Sequence, residues 1–309
     1  MIQKIKKIFS TTIYNEATPT SCTVYMTDRC NFKCKGCYRS KIGSNLSKEM
    51  TLETIKSLLK SYSSLNSFMI VGLGEPTLAD NFTEIVEYLI ENNKRVNITT
   101  NGFNSTKIMK LKSTPNYVNI SLNGFDDNSY KEYTGISCFN EVIESYKNIS
   151  SLPINVGFSY ILTNFNYLSL KKVLEICDDL KPNFLNLFNY IAYDIKNKTD
   201  RDKTISVHDK KTIKYIDEFC SNKKYLITKP KYVDYNNHVF NCKSYSNIIN
   251  VDGEGNIGGC QRQIPPNQIY GNILETIDPY NSKKMKDCRI KQRKVGIVHE
   301  ECEFCFGNW

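Results

Sequence analysis

Six strand-like segments alternate with helix-like segments between residues 22 and 190, and no other feature of the sequence constrains the fold as strongly. The strand-like segments are short and rich in apolar or β-branched residues, whereas apolar residues recur at helical spacing between them. Strands are predicted at Cys22–Met26, Ser67–Gly72, Arg95–Thr100, Tyr117–Leu122, Asn155–Leu162 and Phe184–Tyr190. Helices are predicted at Lys48–Tyr62, Asn81–Asn92, Ser105–Leu111, Asn140–Ile149 and Tyr167–Leu180. This pattern indicates an α/β domain with a parallel sheet, either an open wound sheet or a partial barrel.

Four loops that follow predicted strands carry residues suited to chemistry. Because the C-terminal ends of parallel strands meet at one edge of a sheet, such loops build the functional site in this class of fold. In chain order the motifs are Cys30/Cys34/Cys37, Gly72-Leu73-Gly74-Glu75-Pro76, Thr100-Asn101-Gly102 and Ser121-Leu122-Asn123-Gly124. We expect them to form a single site.

The first of these loops places three thiols, Cys30, Cys34 and Cys37, in the spacing C-x3-C-x2-C. Thiolates this close repel one another and need a cation to hold them together. Three of them can ligate three irons of a four-iron cluster, which leaves the fourth iron open to a substrate or cofactor. A zinc site or inert thiols would be the alternative, but zinc sites usually pair C-x2-C units and no fourth ligand lies nearby. The triad therefore predicts a reactive metal centre.

Cysteine content, charge and hydropathy bound the class of protein. Twelve cysteines among 309 residues, without a membrane-length apolar run or a signal-peptide pattern, favour metal ligation in a cytoplasmic protein with no membrane contact. The formal net charge is +9, but the lysines are scattered and form no dense basic block. We therefore expect a solvated basic surface rather than a nucleic-acid partner, and an anionic substrate remains open.

The sequence divides into four parts. Residues 1–20 form an N-terminal extension, 21–190 the α/β core, 191–230 a polar connector and 231–309 a cysteine-rich part. The connector contains one helix-like stretch, His208–Cys220. In the last part, short strands at Asn247–Val251 and Ile257–Gly258 flank Asp252-Gly253-Glu254-Gly255-Asn256, which predicts a hairpin.

The triad followed by a parallel α/β domain resembles the radical SAM superfamily over roughly residues 20–190. The resemblance implies a partial (β/α)6 TIM-like barrel as the radical SAM core. It also implies that the open iron of a [4Fe-4S] cluster binds S-adenosylmethionine (SAM). Reductive cleavage of SAM to a 5′-deoxyadenosyl radical would then abstract a hydrogen atom from the substrate. An external electron donor, such as flavodoxin or ferredoxin, is implied as a partner.

The resemblance also assigns residues to SAM. The run Gly74-Glu75-Pro76 matches the family's Gly-Gly-Glu-type motif, although Leu73 stands where the first glycine is usual and Gly72 lies one place earlier. The residue before the third cysteine is commonly aromatic in the family but is Gly36 here, so Phe32 or Tyr38 would have to compensate. The implied SAM-binding residues are Tyr38, Gly72, Gly74, Glu75, Asn101, Ser121 and Asn123.

A second set of cysteines follows the core. Twelve residues separate Cys242 from Gly255 and four separate Gly255 from Cys260, a pattern that resembles the opening of the SPASM and twitch extensions of this family. Cys302 and Cys305 would supply two further ligands. The resemblance implies a twitch-like domain whose second, auxiliary [4Fe-4S] cluster is ligated by Cys242, Cys260, Cys302 and Cys305; a four-cysteine zinc knuckle is the alternative.

The remaining cysteines have simpler interpretations. Cys22, Cys138, Cys177 and Cys220 fall in or beside strand-like and helical stretches, where small buried hydrophobic residues are expected. Cys288 lies between the two auxiliary pairs. It could replace a cluster ligand, remain structural, or act as a free catalytic thiol that donates a hydrogen atom.

The implied function is radical oxidation of a substrate, in which a fully ligated auxiliary cluster accepts the electron from the substrate radical. The substrate would be either a peptide or protein, as for a maturase, or a small polar metabolite such as a sugar or cyclitol. A radical peptide epimerase that uses Cys288 as hydrogen donor is an alternative. A non-enzymatic metal-binding module that acts on nucleic acid is another.

Overall fold

The computed structural model describes residues 17–39, 49–192, 194, 196–234, 244–261, 268–295, 298, 302 and 305. Within these residues nine strands form one sheet in the order β7-β6-β5-β4-β3-β2-β1-β8-β9. All neighbours pair in parallel except β8 and β9, which are antiparallel. The strands are β1 Ser21–Tyr25, β2 Ser67–Val71, β3 Arg95–Thr100, β4 Tyr117–Ser121, β5 Asn155–Leu162, β6 Phe184–Asn189, β7 Leu226–Thr228, β8 Ile248–Val251 and β9 Ile257–Gly258.

The six predicted core strands and the predicted hairpin are confirmed, each end lying within one residue of its expected position. The strand β7 was missed, because its three residues lie in a polar part of the sequence that had been interpreted as a connector. It pairs with β6 and so extends the same sheet.

Ten α-helices connect or follow the strands in the described part of the chain. They are α1 Leu52–Ser61, α2 Phe82–Glu91, α3 Thr106–Met109, α4 Asp127–Thr134, α5 Phe139–Ser150, α6 Leu170–Leu180, α7 Lys198–Arg201, α8 Lys210–Phe219, α9 Ser244–Asn247 and α10 Lys283–Val295. None of these helices is long and apolar enough to cross a membrane.

The predicted helices are confirmed where the structure describes them, but the short helices α7 and α9 and the longer helices α4 and α10 were not anticipated. Neither has a broad apolar stripe: α4 buries only Tyr130 and Thr134, and α10 buries only Met285 and Arg289. What defines α4 is its ends. Asp126 forms a capping box at its start, and Gly135 ends it in the left-handed conformation at φ 89°.

The two faces of the sheet differ in character. One face, which we call the outer face, carries apolar residues such as Val24, Ile70, Ile98 and Phe158, and these belong to the same hydrophobic core as the buried sides of the helices. The opposite, inner face carries mostly polar or small residues. A doubly wound sheet would be apolar on both faces, so this asymmetry favours the partial barrel of the two predicted architectures.

The cysteine-rich part joins the core through the sheet. Strand β8 pairs in parallel with β1, in register from Ser21 with Ile248 to Val24 with Val251. In the hairpin that follows, the Asp252 carboxylate accepts hydrogen bonds from the backbone N–H groups of Glu254 and Asn256. The sequence predicted the hairpin but not its pairing with β1.

Candidate active site

The loop after β2 lies directly against the cysteine triad loop. The backbone N–H of Gly74 donates to the Thr27 carbonyl at 3.0 Å, and the N–H of Glu75 donates to the Arg29 carbonyl at 2.8 Å. A Cβ atom at position 74 would collide with the backbone of Arg29 and Asp28. Glycine is therefore required at position 74 for the two loops to approach so closely.

These loops surround a cavity of about 440 Å³ at the C-terminal edge of the sheet. The structure brings together there every residue that the sequence assigned to the first cluster and to SAM. These lining residues are Cys30, Cys34, Cys37, Tyr38, Gly72, Gly74, Glu75, Asn101, Ser121 and Asn123. We call this cavity the mouth pocket.

Glu75 ties the loops after β2 and β3 together. Its buried carboxylate accepts hydrogen bonds from the Thr77 backbone N–H at 3.1 Å, the Thr77 hydroxyl at 2.8 Å, the Thr100 hydroxyl at 2.6 Å and the Asn101 backbone N–H at 2.6 Å. Burial raises the pKa of Glu75, and these four hydrogen bonds oppose that rise. The Asn101 side chain in turn donates to the Asn31 side chain at 2.8 Å, which connects the β3 loop to the triad loop.

The helix α4 anchors the triad loop from its other side. The backbone N–H groups of Lys33 and Lys35 donate to the carbonyls of Thr134 and Tyr133, each at 2.8 Å. These two bonds fix the segment between the first and third cysteines on the C-terminal turn of a capped helix. The loop is thus held in part by hydrogen bonds to α4.

The three thiols share one electrostatic environment. Burial, together with the neighbouring Cys37 and Cys30, raises the pKa of Cys34 to about 12. Burial also raises the pKa of Cys30, although the Phe32 N–H, which lies 3.4 Å from the Cys30 sulfur, opposes this rise. Because thiolates are the ligand form of cysteine, a bound cation is what would stabilise them in this place.

The two departures from the family motif have structural explanations. The Leu73 side chain is buried in a small apolar cluster with Tyr25, and Tyr38 and Val71 pack against this cluster, so only positions 72 and 74 must lack a side chain. Gly36 adopts φ 80°, and a Cβ atom there would lie 3.3 Å from the Tyr190 ring. Tyr190, from the end of β6, is therefore the aromatic residue beside position 36. Phe32 and Tyr38, the residues proposed to compensate, both line the mouth pocket.

Sequence reasoning missed several lining residues. Thr99, Tyr133, Ile161 and Arg39 also line the mouth pocket. Arg39 is the only lysine or arginine among the described lining residues, and its Nε atom is buried without a hydrogen-bond partner there. Its position two residues after the third cysteine was the available signal, because it places Arg39 next to the triad in the sequence.

The second set of cysteines is described in part, since Cys242 lies outside the described residues. Cys302 and Cys305 are linked by a turn in which the Cys305 N–H donates to the Cys302 carbonyl at 3.1 Å. Cys260 follows β9. The structure thus describes three of the four expected auxiliary ligands.

Cys288 lies on α10 beside Tyr270, with 3.5 Å between its sulfur and the tyrosine hydroxyl. Burial raises the pKa of Tyr270, and Cys288 and Cys260 both add to that rise, so the two thiols lie near the same hydroxyl group. Cys288 is not among the described residues that line the mouth pocket. Its neighbours Tyr270 and Cys260 belong to the cysteine-rich part.

The four cysteines interpreted as small hydrophobic residues are buried, as predicted. Cys22, Cys138 and Cys177 are almost fully buried, and Cys220 is buried at the end of α8. Burial raises the pKa of the Cys177 thiol to about 12 and of the Cys220 thiol to about 11. These thiols are neutral packing groups at ordinary pH.

Comparison with known families decides the identity of this site. The sequence profile of the radical SAM superfamily matches residues 24–180, just over half of the 309 residues. The chain belongs to the radical SAM superfamily. Membership implies a [4Fe-4S] cluster and SAM as the groups that this radical SAM protein binds.

Curated relatives share the core. A probable GTP 3′,8-cyclase of Methanocaldococcus jannaschii is 30% identical over 167 residues, which are 52% of this chain and 55% of the relative. The chain therefore spans about half the length of the curated relatives it matches.

Solved structures share the fold over nearly the whole chain. SuiB of Streptococcus suis, crystallised with its precursor peptide SuiA, superposes with a TM-score of 0.74 at 15% identity, covering 99% of this chain and 76% of SuiB. The enzyme anSMEcpe with bound AdoMet gives a TM-score of 0.68 at 19% identity and covers 94% of this chain and 85% of its own. The predicted α/β fold, a TIM-like barrel with a parallel sheet and a cysteine-rich C-terminal region, is confirmed.

The residues of the mouth pocket fit both implied groups. Among the described residues, no three His, Cys, Asp or Glu side chains converge to hold a single metal ion. Three thiolates that ligate three separate irons are instead spread around a cluster, and the rise in the pKa of Cys34 caused in part by Cys37 and Cys30 matches that arrangement. Arg39 offers a cation to a carboxylate, such as that of SAM.

Proposed function

We propose that the mouth pocket is the SAM-cleaving centre of a radical enzyme, and that Cys30, Cys34 and Cys37 hold its cluster. The observation that carries the proposal is the convergence of all ten predicted residues on one cavity. When bound, the cluster supplies the electron for cleavage of SAM, and the resulting radical takes a hydrogen atom from the substrate. The chain itself contributes binding, orientation and electrostatics.

Each loop has a distinct part in binding SAM. Gly72 and Gly74 let the β2 loop pack closely against the triad loop, while Glu75 keeps that loop joined to β3. Arg39 neutralises the carboxylate of SAM, and Asn101, Ser121 and Asn123 supply polar contacts. Tyr38 contributes an aromatic wall. The position of these residues around one cavity supports all of these roles.

We further propose that the cysteine-rich part is a twitch-like domain with one auxiliary [4Fe-4S] cluster, held by Cys242, Cys260, Cys302 and Cys305. The turn between Cys302 and Cys305, and the place of Cys260 after the confirmed hairpin, support this ligand set. Four protein ligands leave no open iron, so the cluster would accept an electron from the substrate radical. The contact of Cys288 with Tyr270 favours a place beside this cluster over that of a hydrogen donor in the mouth pocket.

For the substrate we favour a peptide or protein over a small polar metabolite. The likeness of fold to SuiB, which binds a precursor peptide, supports this choice. Near the mouth pocket, Ile161 and Phe188 are register partners on β5 and β6 and are 42% and 41% exposed, which makes an apolar rim. A nucleotide such as GTP would instead require several basic groups, and Arg39 is the only one among the described lining residues.

The proposal is tested by reconstituting the full chain with iron and sulfide under anaerobic conditions, adding SAM and dithionite, and measuring 5′-deoxyadenosine by mass spectrometry. Wild-type protein should form it, Cys30→Ala should not, and Cys177→Ala should form it because that buried thiol lies on α6, outside the pocket lining. Zinc instead of iron in the purified protein would contradict the proposal. Salt-sensitive binding of RNA without SAM cleavage would favour the nucleic-acid module instead.

A further inference from the structure

Two carboxamides lie on the inner face of the sheet, directly beneath the mouth pocket. Asn97 on β3 and Asn119 on β4 are each two residues before a residue that lines the pocket, Thr99 and Ser121 respectively. Since side chains alternate along a strand, each asparagine shares the face of its lining residue and lies one step deeper. Asn97 is 8% exposed and Asn119 is 6% exposed.

The oxygen atoms of these carboxamides are buried without a protein partner. Neither the Asn97 Oδ1 nor the Asn119 Oδ1 accepts a hydrogen bond from any described residue. The other end of Asn119 is occupied, because its Nδ2 donates to the Ser159 hydroxyl at 3.1 Å. Most buried polar groups in native proteins are hydrogen-bonded, and an unsatisfied one costs about 1–3 kcal/mol. Two such acceptors at diagonal positions on neighbouring strands point to a ligand that donates to them.

A third acceptor of the same kind lies across the sheet. Asn250 on β8 is fully buried, donates through Nδ2 to the Gly258 carbonyl, and leaves its Oδ1 without a partner among the described residues. Asn250 pairs with Thr23, Thr23 with Met69, and Met69 with Asn97, so one row of the sheet joins the two asparagines.

The register partners of Asn97 and Asn119 carry no charge, and Arg95, the basic residue near Tyr117, is exposed at the N-terminal end of β3, away from the mouth pocket. The register partners of Asn97 are Met69 and Tyr117, and those of Asn119 are Thr99 and Gly157. A carboxylate or phosphate has only acceptor atoms and would meet unsatisfied oxygens without a compensating cation, which is unfavourable. An ammonium group would lack a counter-ion. An uncharged donor, an amide N–H or a hydroxyl, fits both the atoms and the electrostatics.

We propose that the substrate site extends from the mouth pocket onto the inner face, where Asn97 and Asn119 accept hydrogen bonds from an uncharged amide group of a peptide substrate. The inference rests on the proposed function, in which the same pocket cleaves SAM. It specifies the group that lies deepest: a carboxamide or backbone amide, and not a carboxylate or phosphate. Asn97 and Asn119 are therefore specificity-determining residues.

The first test measures how far the unpaired carboxamide oxygen of Asn97 lowers the stability of the protein in the absence of substrate. Asn97→Leu removes the buried oxygen and keeps the branching of the side chain at Cγ, so the melting temperature of the reconstituted protein should rise by about 2–5 °C. Asn155→Leu, at the exposed first residue of β5, is the matched control for the greater strand propensity of leucine and should change the melting temperature less. A fall in the melting temperature of Asn97→Leu would mean that structural water satisfies the carboxamide, and would overturn the proposal.

The second test compares two isosteric probes, the neutral peptide acetyl-Gly-Asn-Gly-Gly-amide and its Asp counterpart, by calorimetry with SAM-loaded wild-type protein. The neutral peptide should bind about fivefold more tightly, the equivalent of one average hydrogen bond. Asn97→Leu should lose this preference and Asn155→Leu should keep it. Equal affinities, or no binding of the neutral peptide, would overturn the proposal. Formation of 5′-deoxyadenosine by wild-type protein is measured separately, so failure of this subsite is distinguishable from failure of the proposed function.

Discussion

Replacing Gly74 with alanine should separate the two loops that form the mouth pocket. The added Cβ would collide with the backbone of Arg29, so the loop after β2 must move away from the triad loop. The movement breaks two inter-loop hydrogen bonds, from Gly74 to Thr27 and from Glu75 to Arg29. At about 1 kcal/mol each, their loss amounts to about 2 kcal/mol, so the Kd for SAM should rise about 30-fold.

Anaerobic calorimetry of SAM binding to the reconstituted protein measures this effect. The control is Gly135→Ala at the end of α4, where φ is positive, unlike at Gly74, and an added Cβ would meet only the Lys33 Cβ at 3.7 Å. That variant carries the backbone strain of a left-handed residue without pushing the two loops apart. If Gly74→Ala bound SAM as tightly as wild-type protein does, the contact between these loops would not shape the SAM site.

Three further substitutions test other parts of the account. Arg39→Met should raise the Kd for SAM by about 10- to 100-fold because it removes a charge-assisted hydrogen bond. Arg39→Lys should recover part of the affinity. Unchanged binding by Arg39→Met would exclude a contact between Arg39 and the carboxylate of SAM. Burial raises the pKa of Cys177 from 9.0 to about 12, so the neutral thiol stabilises the fold below pH 9 and this contribution is lost as the pH rises toward 12. Between pH 8 and pH 10, urea unfolding should therefore show wild-type protein losing about 1.4 kcal/mol more stability than Cys177→Ala, and parallel curves would contradict this. Arg289→Met should lower the free energy of unfolding by about 3–5 kcal/mol in denaturant, since the buried guanidinium donates to the carbonyls of Tyr245 and Tyr280. A decrease below about 1 kcal/mol would show that other hydrogen bonds replace these two in the variant.

The strands and the residues of the site could be predicted from the sequence because both are encoded by local sequence patterns. Short β-branched runs define β1 to β6, and the motifs that follow β1 to β4 are each contained in a few residues. In a parallel sheet, the ends of neighbouring strands must come together, which is why loops far apart in sequence could be assigned to one cavity.

What could not be predicted depends on long-range packing or on helix ends. The pairing of β8 with β1 joins segments more than 200 residues apart, and neither strand encodes its partner. The helix α4 is defined by the Asp126 capping box and by Gly135 rather than by an apolar stripe. The contact between Gly36 and Tyr190 requires the end of β6 to reach the triad loop. The unpaired state of Asn97 and Asn119 becomes visible only when the inner face and its neighbours are known.

The central claim is that Cys30, Cys34 and Cys37 hold a cluster with one iron open to SAM. Electron paramagnetic resonance of the dithionite-reduced protein tests it most directly, in a Cys302→Ala/Cys305→Ala background that removes two auxiliary ligands, so that the triad cluster dominates the spectrum. Addition of SAM should shift the g-values of this signal, and Cys34→Ala in the same background should abolish it. A spectrum that SAM leaves unchanged, or a signal that survives loss of Cys34, would contradict the account.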